Sequence, residues 1–573
     1  MKYTYLLIFF TSALLGSCQT NVKTADIKKM EWLIGTWKGE SNGQPFYENW
    51  IKVSDNEFDN VNYSICNGDT VRGGHSKIGI RNGKITYTGG NSSLELRELN
   101  DSLIIFENSK QAEKFTFTKT LDGKWKAHLQ YPSSQIEYLL SKTSAIADLL
   151  KDKPSPIIGY YEGHVEYSGK KLFTTINFEY KDGKQTATAS TPDNLQLDMP
   201  FNEVCYDPPF LKLSLRDGTQ NLILNAQFNN DEIVGGVSGE IPAKFLFKKA
   251  SLPNKMPDYK IVSLTIQNGS INLPANLFLP KSDKPTGAVI MVCGTGQHIK
   301  EEYNGWADLL ASKGVAVLAY DKRNVTYFPN LNIRRASSDI VLPGQLESDI
   351  EAAISILKSR KEINPKKIGL FGFSQGAVMA PIVAAKNSDV AFIVAVSGNT
   401  TTDKEFIIKQ SINRLRQRNF DENDIQHARG LMEALFQYSK DRKNGDKLQK
   451  DIDKAYENGY GRYSLPRYLP NEDELKYLST WNSFEHDPSI YWSKLNIPSY
   501  VVFGDRDIFI PVKESVQILN NLFKNRPNIL TLKVYPNADH FIKQQPDRNN
   551  FDFPKYVNGY VTGLVDWIIL QAN

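Results

Sequence analysis

The spacing of apolar and polar residues divides the chain into stretches with different periods. From about residue 25 to 148, short segments in which apolar and polar residues alternate are separated by turn-forming pairs such as Asn82-Gly83 and Asp122-Gly123. Lys84-Ile85-Thr86-Tyr87 is one of these segments. An alternation of period two predicts strands with one buried and one exposed face. This stretch is therefore predicted to be an all-β module.

A second stretch, from about residue 155 to 250, repeats this pattern. Ile158-Gly159-Tyr160-Tyr161-Glu162-Gly163 echoes Ile34-Gly35-Thr36-Trp37-Lys38-Gly39, which opens the first module. We predict a second β module with a similar start, which we interpret as a divergent copy of the first. The Gly-x-Trp at the start of the first module resembles the opening of lipocalin-like barrels, and Trp37 is expected in the barrel core.

From about residue 255 onward, strand patterns alternate with helical patterns. A hairpin is predicted across Asn268-Gly269. The further strands are predicted near 288–292, 315–320, 367–371, 391–396, 499–503 and 529–535, and helices at 306–312, 347–358 and 556–570. Such alternation predicts a mostly parallel sheet with helices on both faces.

Residues from about 401 to 495 interrupt this alternation. Two charged helical segments, 404–418 and 421–440, are not followed by strands. An insertion at this place would overhang the ends of the strands, so we predict a helical cap that shapes a substrate pocket; a solvated helical appendage is the alternative. Its aromatic residues are expected to pack rather than to line the pocket: Trp481, Phe484, Tyr491 and Trp492.

The amino-terminal segment predicts export. Lys2 precedes an apolar run from Tyr3 to Leu15, which is too short to span a bilayer and is typical of a signal peptide. The run leads to Leu15-Gly16-Ser17-Cys18, which resembles the lipobox of bacterial lipoproteins, whose cysteine is lipidated and becomes the amino terminus. The alternative is an ordinary secretory signal with an incidental cysteine. No acidic cluster follows in residues 19–23, so we expect a lipid anchor on the periplasmic face of the bacterial outer membrane.

The predicted organisation is therefore a multidomain chain: two all-β, barrel-like modules followed by an α/β domain with a helical cap. The predicted segments are a signal peptide at 1–18, the first β module at 19–150, the second at 151–250 and the α/β domain at 251–573, with the cap at about 401–495.

Composition excludes some classes of partner. The 68 basic and 64 acidic residues give a net charge of +4, without a basic run, so no nucleic-acid partner is expected. Cys66, Cys205 and Cys293 fall in three different predicted modules, and we therefore expect no disulfide framework. Cys293 is expected to be a small core residue. No spacing of His, Cys and Asp suggests a metal site, and no cofactor is expected.

Gly372-Phe373-Ser374-Gln375-Gly376 is the most informative motif of the chain. It follows an apolar run at 367–371 and precedes a helical pattern at 377–383. In a strand–turn–helix setting, G-x-S-x-G forms a sharp turn that lifts the serine hydroxyl above the sheet. Ser374 is thus the candidate nucleophile.

A serine nucleophile needs a base and a carboxylate, and candidates for both follow predicted strands. Asp505 and Asp507 come after the strand at 499–503, and His540 comes after the strand at 529–535. The carboxyl ends of such strands are where open α/β sheets bind ligands. His540 would accept the serine proton and the carboxylate would orient it. Asp539 is expected to be a loop carboxylate.

An acyl-transfer site also needs donors for the oxyanion. One expected donor is the backbone N–H of Gln375, directly after the nucleophile. For the other we predict the N–H of Thr295, in the glycine-containing loop Cys293-Gly294-Thr295-Gly296. His298 is expected more often to line the site or to bond to this loop than to touch substrate.

Together these motifs resemble the α/β-hydrolase superfamily across residues 255–573, specifically bacterial esterases related to dipeptidyl-peptidase-like serine hydrolases and acyl-CoA thioesterases. The matching pieces are Cys293-Gly294-Thr295-Gly296, Tyr320-Asp321-Lys322-Arg323, Gly372 to Gly376, Gly504-Asp505-Arg506-Asp507 and Asp539-His540. The resemblance favours Asp507 over Asp505, because the acid in this fold usually lies three residues past the strand-end glycine.

The resemblance has one departure. Asn324-Val325-Thr326-Tyr327 stands where such proteins usually continue with glycines, so the loop beside the site is expected to have another shape. Asp321 and Arg323 are expected to be ion-pair partners rather than catalytic groups.

The sequence leaves three main functions open, and a fourth, a thioesterase, is less favoured. The favoured function is hydrolysis of small-molecule carboxylic esters by an exported, lipid-anchored serine enzyme. A peptidase with the same triad is the second, although the β modules lack the repeats of a propeller. A thioesterase is less favoured for an exported chain, because acyl-CoA is cytoplasmic. The third is a binding lipoprotein with an inactive hydrolase domain.

Overall fold

The structure is a computed structural model that describes residues 24–573, apart from several gaps. The gaps are 42–43, 68, 82, 91, 109, 133, 145–154, 182, 218–219, 239–241, 254–256, 324, 329–332, 337–342, 472–485 and 545–550. The predicted signal peptide, Cys18, Trp481 and Phe484 lie outside the described residues. Within the described part, no helix is both long and apolar enough to cross a membrane.

The first β module is a closed barrel of ten antiparallel strands preceded by a 3₁₀ helix, Thr24–Leu33. The strands are β1 (Gly35–Ser41), β2 (Gln44–Ser54), β3 (Glu57–Cys66), β4 (Asp69–Arg81), β5 (Lys84–Gly89), β6 (Ser92–Leu99), β7 (Leu103–Asn108), β8 (Glu113–Lys119), β9 (Trp125–Gln130) and β10 (Gln135–Lys142). Each strand pairs with its sequence neighbour, and β1 closes the barrel against β10. The predicted all-β, barrel-like character is confirmed.

The interior of this barrel is filled by aromatic and aliphatic side chains. Trp37, Trp50 and Trp125 are buried in one core with Phe106, and Trp32 stacks on Trp125 with ring centroids 4.0 Å apart. A cavity of about 20 Å³ remains among them. Such a volume is near the minimum that a single water molecule needs. This cavity therefore has room for little more than one water molecule.

One carboxyl group lies within this apolar interior. Glu48 is buried, and it accepts hydrogen bonds from Trp50 Nε1 at 2.9 Å and from the Tyr138 hydroxyl at 3.3 Å. Burial raises the pKa of Glu48, although the two hydrogen bonds act in the opposite direction. The folded chain thus holds a proton on Glu48 at pH values where the unfolded chain has released it.

Replacement of Glu48 by Gln is expected to stabilise the protein increasingly as pH rises above the ordinary pKa of glutamate. A raised pKa in the folded state gives stability that is complete below the unfolded pKa and is lost as pH rises towards the folded pKa. Each tenfold difference in acid dissociation constant between the two states changes the free energy of unfolding by ~1.4 kcal/mol. Denaturant unfolding of both proteins at about pH 4.5 and about pH 8, at the two ends of this pH range, measures the difference in their free energies of unfolding.

Exposed Glu98 of the same barrel supplies the control for this experiment. Glu98→Gln removes a carboxyl that already lies in water, so its effect on unfolding should not grow with pH in the same way. Equal pH trends for Glu48→Gln and Glu98→Gln would contradict the raised pKa.

The second β module is a nine-stranded sheet whose order is β14-β13-β12-β11-β19-β18-β17-β16-β15. The strands are β11 (Gly159–Tyr167), β12 (Lys170–Lys181), β13 (Lys184–Thr191), β14 (Gln196–Pro200), β15 (Glu203–Asp207), β16 (Phe210–Asp217), β17 (Gln220–Asn229), β18 (Glu232–Ser238) and β19 (Lys244–Ala250). Its first and last strands in space, β14 and β15, do not pair with each other in this order. The predicted second β module is thus an open sheet.

The chain divides into two compact units that cross the predicted module boundaries. One unit comprises 1–156 together with 205–212 and 225–227, and the other comprises the remaining residues. The predicted domain boundaries at 150 and 250 stay predictions.

The expectation that the chain has no disulfide framework is wrong for two of its cysteines. Cys66 and Cys205 form a disulfide with their Cα atoms 4.8 Å apart, although 139 positions separate them in sequence. Both belong to the first compact unit, where the Asn67 N–H donates to the Tyr206 carbonyl at 3.1 Å. Distance along the chain therefore gave no measure of distance in space. Cys293 is free and buried as expected, and burial raises its pKa to about 11.

The α/β domain is built on an eight-stranded sheet with the order β20-β21-β23-β22-β26-β27-β28-β29. Its strands are β20 (Tyr259–Asn268), β21 (Ile271–Pro280), β22 (Thr286–Val292), β23 (Ala316–Tyr320), β26 (Ile363–Phe373), β27 (Val390–Val396), β28 (Ser499–Gly504) and β29 (Leu530–Tyr535). Two short hairpins, β24 (Val325–Phe328) with β25 (Ile333–Ala336) and β30 (Lys543–Gln544) with β31 (Lys555–Tyr556), stand apart from it. The predicted hairpin, β20–β21, is antiparallel, whereas β22, β23 and β26–β29 run parallel.

Helices cover both faces of this sheet, as predicted. The helices of the domain are α1 (Asn304–Ala311), α2 (Pro343–Lys358), α3 (Gln375–Ala384), α4 (Asp403–Gln417), α5 (Glu422–Asp441), α6 (Gly445–Glu457), α7 (Gly461–Ser464), α8 (Ser489–Lys494), α9 (Val512–Leu522) and α10 (Tyr560–Ala572). Residues of α2, α3 and α9 share one core cluster, and residues of α1 and α10 share the other. Nearly every β22 and β27 side chain is buried, as expected of central parallel strands.

Helices α4 to α7 lie between β27 and β28, where the helical cap is predicted. They enclose a core of their own that includes Ile412, Met432 and Ile452. The Asn413 side chain donates to the Ile508 carbonyl at 2.9 Å, which attaches the cap to the loop after β28. Trp492, on α8, is buried and packs against Phe523, in agreement with the expectation that it packs.

Candidate active site

The strand–turn–helix predicted around Ser374 is present. β26 ends at Phe373, α3 begins at Gln375, and Ser374 between them has φ 53° and ψ −114°. A positive φ is uncommon for a residue with a side chain and costs about 1–3 kcal/mol unless the surroundings hold it. The Ser374 N–H donates to the Val396 carbonyl of β27 at 2.8 Å, and this bond helps to hold the turn. Ser374 is half-buried at the end of the strand.

The two glycines of the motif are required by close backbone contacts. A Cβ on Gly372 would overlap the Gly376 carbonyl, and a Cβ on Gly376 would overlap the Val292 carbonyl of β22. Since both obstacles are backbone atoms, neither can move aside easily. The spacing G-x-S-x-G therefore follows from the packing of the turn against the neighbouring strand.

The structure joins Asp507 and His540. His540 Nδ1 lies 2.7 Å from Asp507 Oδ2, and both side chains are buried. The other carboxylate oxygen of Asp507 accepts the N–H groups of Phe509 at 2.8 Å and Ile510 at 3.1 Å. These bonds fix the carboxylate, which in turn fixes the orientation of the imidazole.

Asp505, the rival carboxylate, has a different environment. It is exposed, and its backbone N–H donates to the Tyr535 carbonyl at 3.0 Å. The backbone carbonyl of His540 accepts the buried Ser397 hydroxyl at 2.7 Å, which fixes the loop after β29. Asp507 is thus the one of the two predicted carboxylates that His540 contacts.

Ser374 follows β26 and His540 follows β29, two strands of one sheet that have β27 and β28 between them. Among the hydrogen bonds of the described residues, none joins the Ser374 hydroxyl to the imidazole. Phe373, directly before Ser374, contacts His540 with ring centroids 5.3 Å apart. Nucleophile–base bonds are often long without substrate and shorten when substrate binds.

Three phenylalanines that sequence reasoning missed surround the imidazole. Phe373, Phe509 and Phe541 lie with their ring centroids 5.1–5.6 Å from that of His540. Each follows or precedes a predicted triad residue by one or two positions, which is the signal that could have found them. Phe541 is 53% exposed and Phe509 36% exposed, so part of this aromatic surface faces solvent.

The loop after β22 lies against the serine turn. An ideal Cβ on Gly294 would come 3.5 Å from Ser374 Cβ and 3.4 Å from the Phe373 carbonyl. In the described part of the chain, neither the Thr295 N–H nor the Gln375 N–H donates to a backbone carbonyl outside regular helices and strands. Gln375 is the first residue of α3, whose N–H has no partner within the helix. Gln375 thus directly follows Ser374, and the residue before Thr295, Gly294, lies against the serine turn, while the oxyanion role of the two N–H groups stays a prediction.

His298 contacts the loop that contains Thr295. Its Nε2 lies 3.0 Å from the Thr295 carbonyl, and its Nδ1 lies 2.6 Å from Glu302 Oε2. These contacts agree with the expectation that His298 bonds to the loop.

The residues after β23 include a buried cation that sequence reasoning left without a role. Lys322 Nζ donates to the Gly294 carbonyl at 2.6 Å and to Gln375 Oε1 at 2.9 Å. The flanking residues form the expected ion pairs, Arg323 with Asp349 at 2.6 Å and Asp321 with Lys300 at 3.7 Å.

A comparison with protein families identifies the domain that carries these residues. Residues 287–544 match the model of a family described as alpha/beta hydrolase fold. The matched range contains Thr295, Ser374, Gln375, Asp507 and His540.

Two curated proteins are similar to parts of the chain. Esterase EstD of Thermotoga maritima is 24% identical over 318 residues, which cover 53% of this chain and 66% of that esterase. Thiohydrolase apmlB of Arthrinium phaeospermum is 31% identical over 109 residues, which cover 19% of this chain and 34% of that protein. The chain thus spans less than two thirds of the length of either relative.

Solved structures of hydrolases align with about half of the chain. A 2,6-dihydroxy-pseudo-oxynicotine hydrolase matches at 16% identity with a TM-score of 0.34, covering 55% of this chain and 68% of that one. Est1E from Butyrivibrio proteoclasticus matches at 16% identity with a TM-score of 0.32, covering 54% and 96%. No functional conclusion follows from TM-scores of this size. The family match and the observed sheet together establish that residues 287–544 are an α/β-hydrolase domain, which follows all-β modules in this chain.

Proposed function

We propose that this protein is a serine hydrolase that cleaves carboxylic esters, with Ser374 as nucleophile, His540 as general base and acid, and Asp507 as the carboxylate. The observation that carries the proposal is the buried His540–Asp507 contact of 2.7 Å beside the strained turn of Ser374. The three residues follow the parallel strands β26, β28 and β29, whose carboxyl ends share one edge of the sheet.

In the first half of the reaction, the Ser374 oxygen attacks the ester carbonyl carbon while its proton passes to His540 Nε2. The resulting imidazolium is stabilised by Asp507. The negative charge on the former carbonyl oxygen is stabilised by the N–H groups of Thr295 and Gln375. The C–O bond to the alcohol then breaks, and the alcohol leaves with the proton from His540.

In the second half, water replaces the alcohol. His540 takes a proton from the water as its oxygen attacks the acyl-enzyme carbonyl, and returns that proton to Ser374 as the acid leaves. His540 thus mediates every proton transfer in this scheme, and the backbone N–H groups only stabilise the negative charge.

The aromatic surface around His540 supports an ester with an apolar substituent. Phe509 and Phe541 expose apolar area directly beside the imidazole, where the leaving group must receive its proton. Burial of apolar surface contributes about 25 cal/mol per Å². The similarity to a protein named as an esterase supports the same substrate class, a small-molecule ester.

The rival functions have weaker support. A propeller that would screen peptides has no counterpart in the β modules, since one is a closed barrel and the other an open sheet within the described residues. The cavity of about 20 Å³ among the barrel's aromatic side chains is too small for a lipid chain, so it gives no support to a binding protein that holds a lipid there. The relative named as a thiohydrolase matches only 19% of this chain, so thioesters belong in the test.

A substrate panel tests the proposed reaction. We expect p-nitrophenyl esters of short apolar acids to be hydrolysed at a rate far above that of the matching p-nitroanilide peptides, because p-nitrophenol is the better leaving group. A thioester of the same acyl group completes the panel. Faster cleavage of the peptide anilides would replace this proposal by a peptidase, and inactivity on every acyl substrate would contradict it.

Membrane anchoring through a lipid on Cys18, at the periplasmic face of the outer membrane, remains part of the proposal. It rests on the sequence alone, since residues 1–23 are outside the described part. Mass spectrometry of the amino terminus of the exported protein tests it, and an unmodified terminus would contradict it.

A further inference from the structure

Lys322 is an unusual residue for its position because its ammonium group is buried. The residue is only 3% exposed, and burial lowers its pKa. A buried cation is costly unless polar groups surround it. Lys322 Nζ has two such partners, the Gly294 carbonyl at 2.6 Å and the side-chain Oε1 of Gln375 at 2.9 Å. Its backbone N–H donates to the His298 carbonyl at 2.9 Å, which attaches the same residue to the Thr295 loop.

Both partners of the Lys322 ammonium group are directly connected to a proposed oxyanion donor. The carbonyl of Gly294 and the N–H of Thr295 are parts of one peptide group and, in a trans peptide, point in opposite directions. A hydrogen bond that holds this carbonyl therefore also sets the direction of the Thr295 N–H. The cation also polarises the peptide group and makes its N–H a stronger donor. The other partner, Gln375, supplies the second N–H from its own backbone.

We propose that Lys322 positions the oxyanion hole by holding the Gly294–Thr295 peptide and Gln375 with one ammonium group. This inference rests on the proposed function. Lys322 acts through the two backbone N–H groups, so it is a positioning residue, and its contribution belongs to the transition state, in which the oxygen carries charge.

Lys322→Met is the main test, because methionine has similar length and cannot donate. Loss of a whole oxyanion donor costs about 10²–10³-fold in kcat. Misdirection of donors that remain present should cost less, about 10–100-fold, and KM should stay nearly constant because the ground-state carbonyl carries little charge. Lys322→Arg keeps the cation with a different shape and should retain part of the lost kcat.

A trifluoromethyl ketone separates positioning from a general loss of structure. The Ser374 oxygen adds to its carbonyl carbon, the serine proton passes to His540, and the former carbonyl oxygen becomes an oxyanion. We expect the affinity for this ketone to fall in Lys322→Met by about the same 10–100-fold as kcat. The affinity for the matching alcohol, which forms no oxyanion, should not change.

The outcomes distinguish this inference from the proposed function. Unchanged kcat and ketone affinity in folded Lys322→Met, with an active wild-type esterase, would overturn the role of Lys322 alone. A rise of KM without a fall of kcat would also overturn it.

If Lys322→Met does not fold, Lys322→Arg and Gln375→Met decide the question, because each disturbs the ammonium contacts while the backbone donors remain. If both variants keep the kcat and the ketone affinity of the wild-type protein, the role of Lys322 is overturned. If the wild-type protein itself hydrolyses no ester, the proposed function is overturned instead.

Discussion

Ser374→Ala is expected to lower kcat for ester hydrolysis by roughly 10⁵–10⁶-fold, which is the effect of removing the nucleophile in comparable triads. The substitution deletes only the hydroxyl oxygen at the end of β26, where Ser374 is half-buried. Alanine has the same Cβ and meets the same backbone strain at φ 53°, so the free energy of unfolding should change by less than about 0.5 kcal/mol. Steady-state kinetics with a p-nitrophenyl ester and thermal unfolding measure the two quantities.

Labelling with a fluorophosphonate probe adds a direct chemical readout. The probe should modify the wild-type protein on Ser374 and leave Ser374→Ala unlabelled. Ser355→Ala is a suitable control, because the Ser355 hydroxyl is exposed and bonds to the Glu351 carbonyl of its own helix at 2.9 Å. Turnover that persists in Ser374→Ala at the wild-type rate would show that another group is the nucleophile.

Asp507→Asn should lower kcat by about 10⁴-fold, which is the effect of the equivalent amide in a known triad. Asp507 Oδ1 accepts two backbone N–H groups, from Phe509 and Ile510, so the amide oxygen of asparagine would take that place. The amide nitrogen would then face His540 and donate to its Nδ1. The imidazole proton would move to Nε2, and that nitrogen could no longer accept the proton of Ser374.

Asp505→Asn is the matched control for this prediction, since Asp505 is two positions away, has the same chemistry and is exposed. It should leave kcat and KM unchanged. A large loss of kcat in Asp505→Asn with little loss in Asp507→Asn would reverse the assignment of the carboxylate. Equal and small losses in both would contradict a carboxylate-oriented histidine.

The parts of the site that depend on neighbours in sequence were open to prediction. The turn at Ser374 requires a strand, two small residues and a helix within a few positions, and all of these can be recognised from residue types. The preference for Asp507 over Asp505 came from a family resemblance, and the structure gives its physical basis in the buried contact with His540. The sheet and its helices were predictable because apolar runs and amphipathic patterns alternate.

The parts that depend on contacts between distant residues were not open to prediction. The burial of Lys322 is a property of the packed loops after β22, β23 and β26, and a lysine in a sequence is usually exposed. Sequence patterns also do not reveal whether the last strand of a β module pairs with its first, so the barrel and the open sheet appeared alike. The disulfide between Cys66 and Cys205 required two residues to be placed together across 139 positions.

That covalent bond determines how this protein can be divided. A protease cut within residues 145–154 would leave both fragments joined until a reductant separates them. A shortened chain that starts after the barrel would carry Cys205 as an unprotected thiol, open to mispairing in an oxidising compartment. Comparisons of the α/β-hydrolase domain with and without the amino-terminal barrel therefore require replacement of Cys205 in the shorter form.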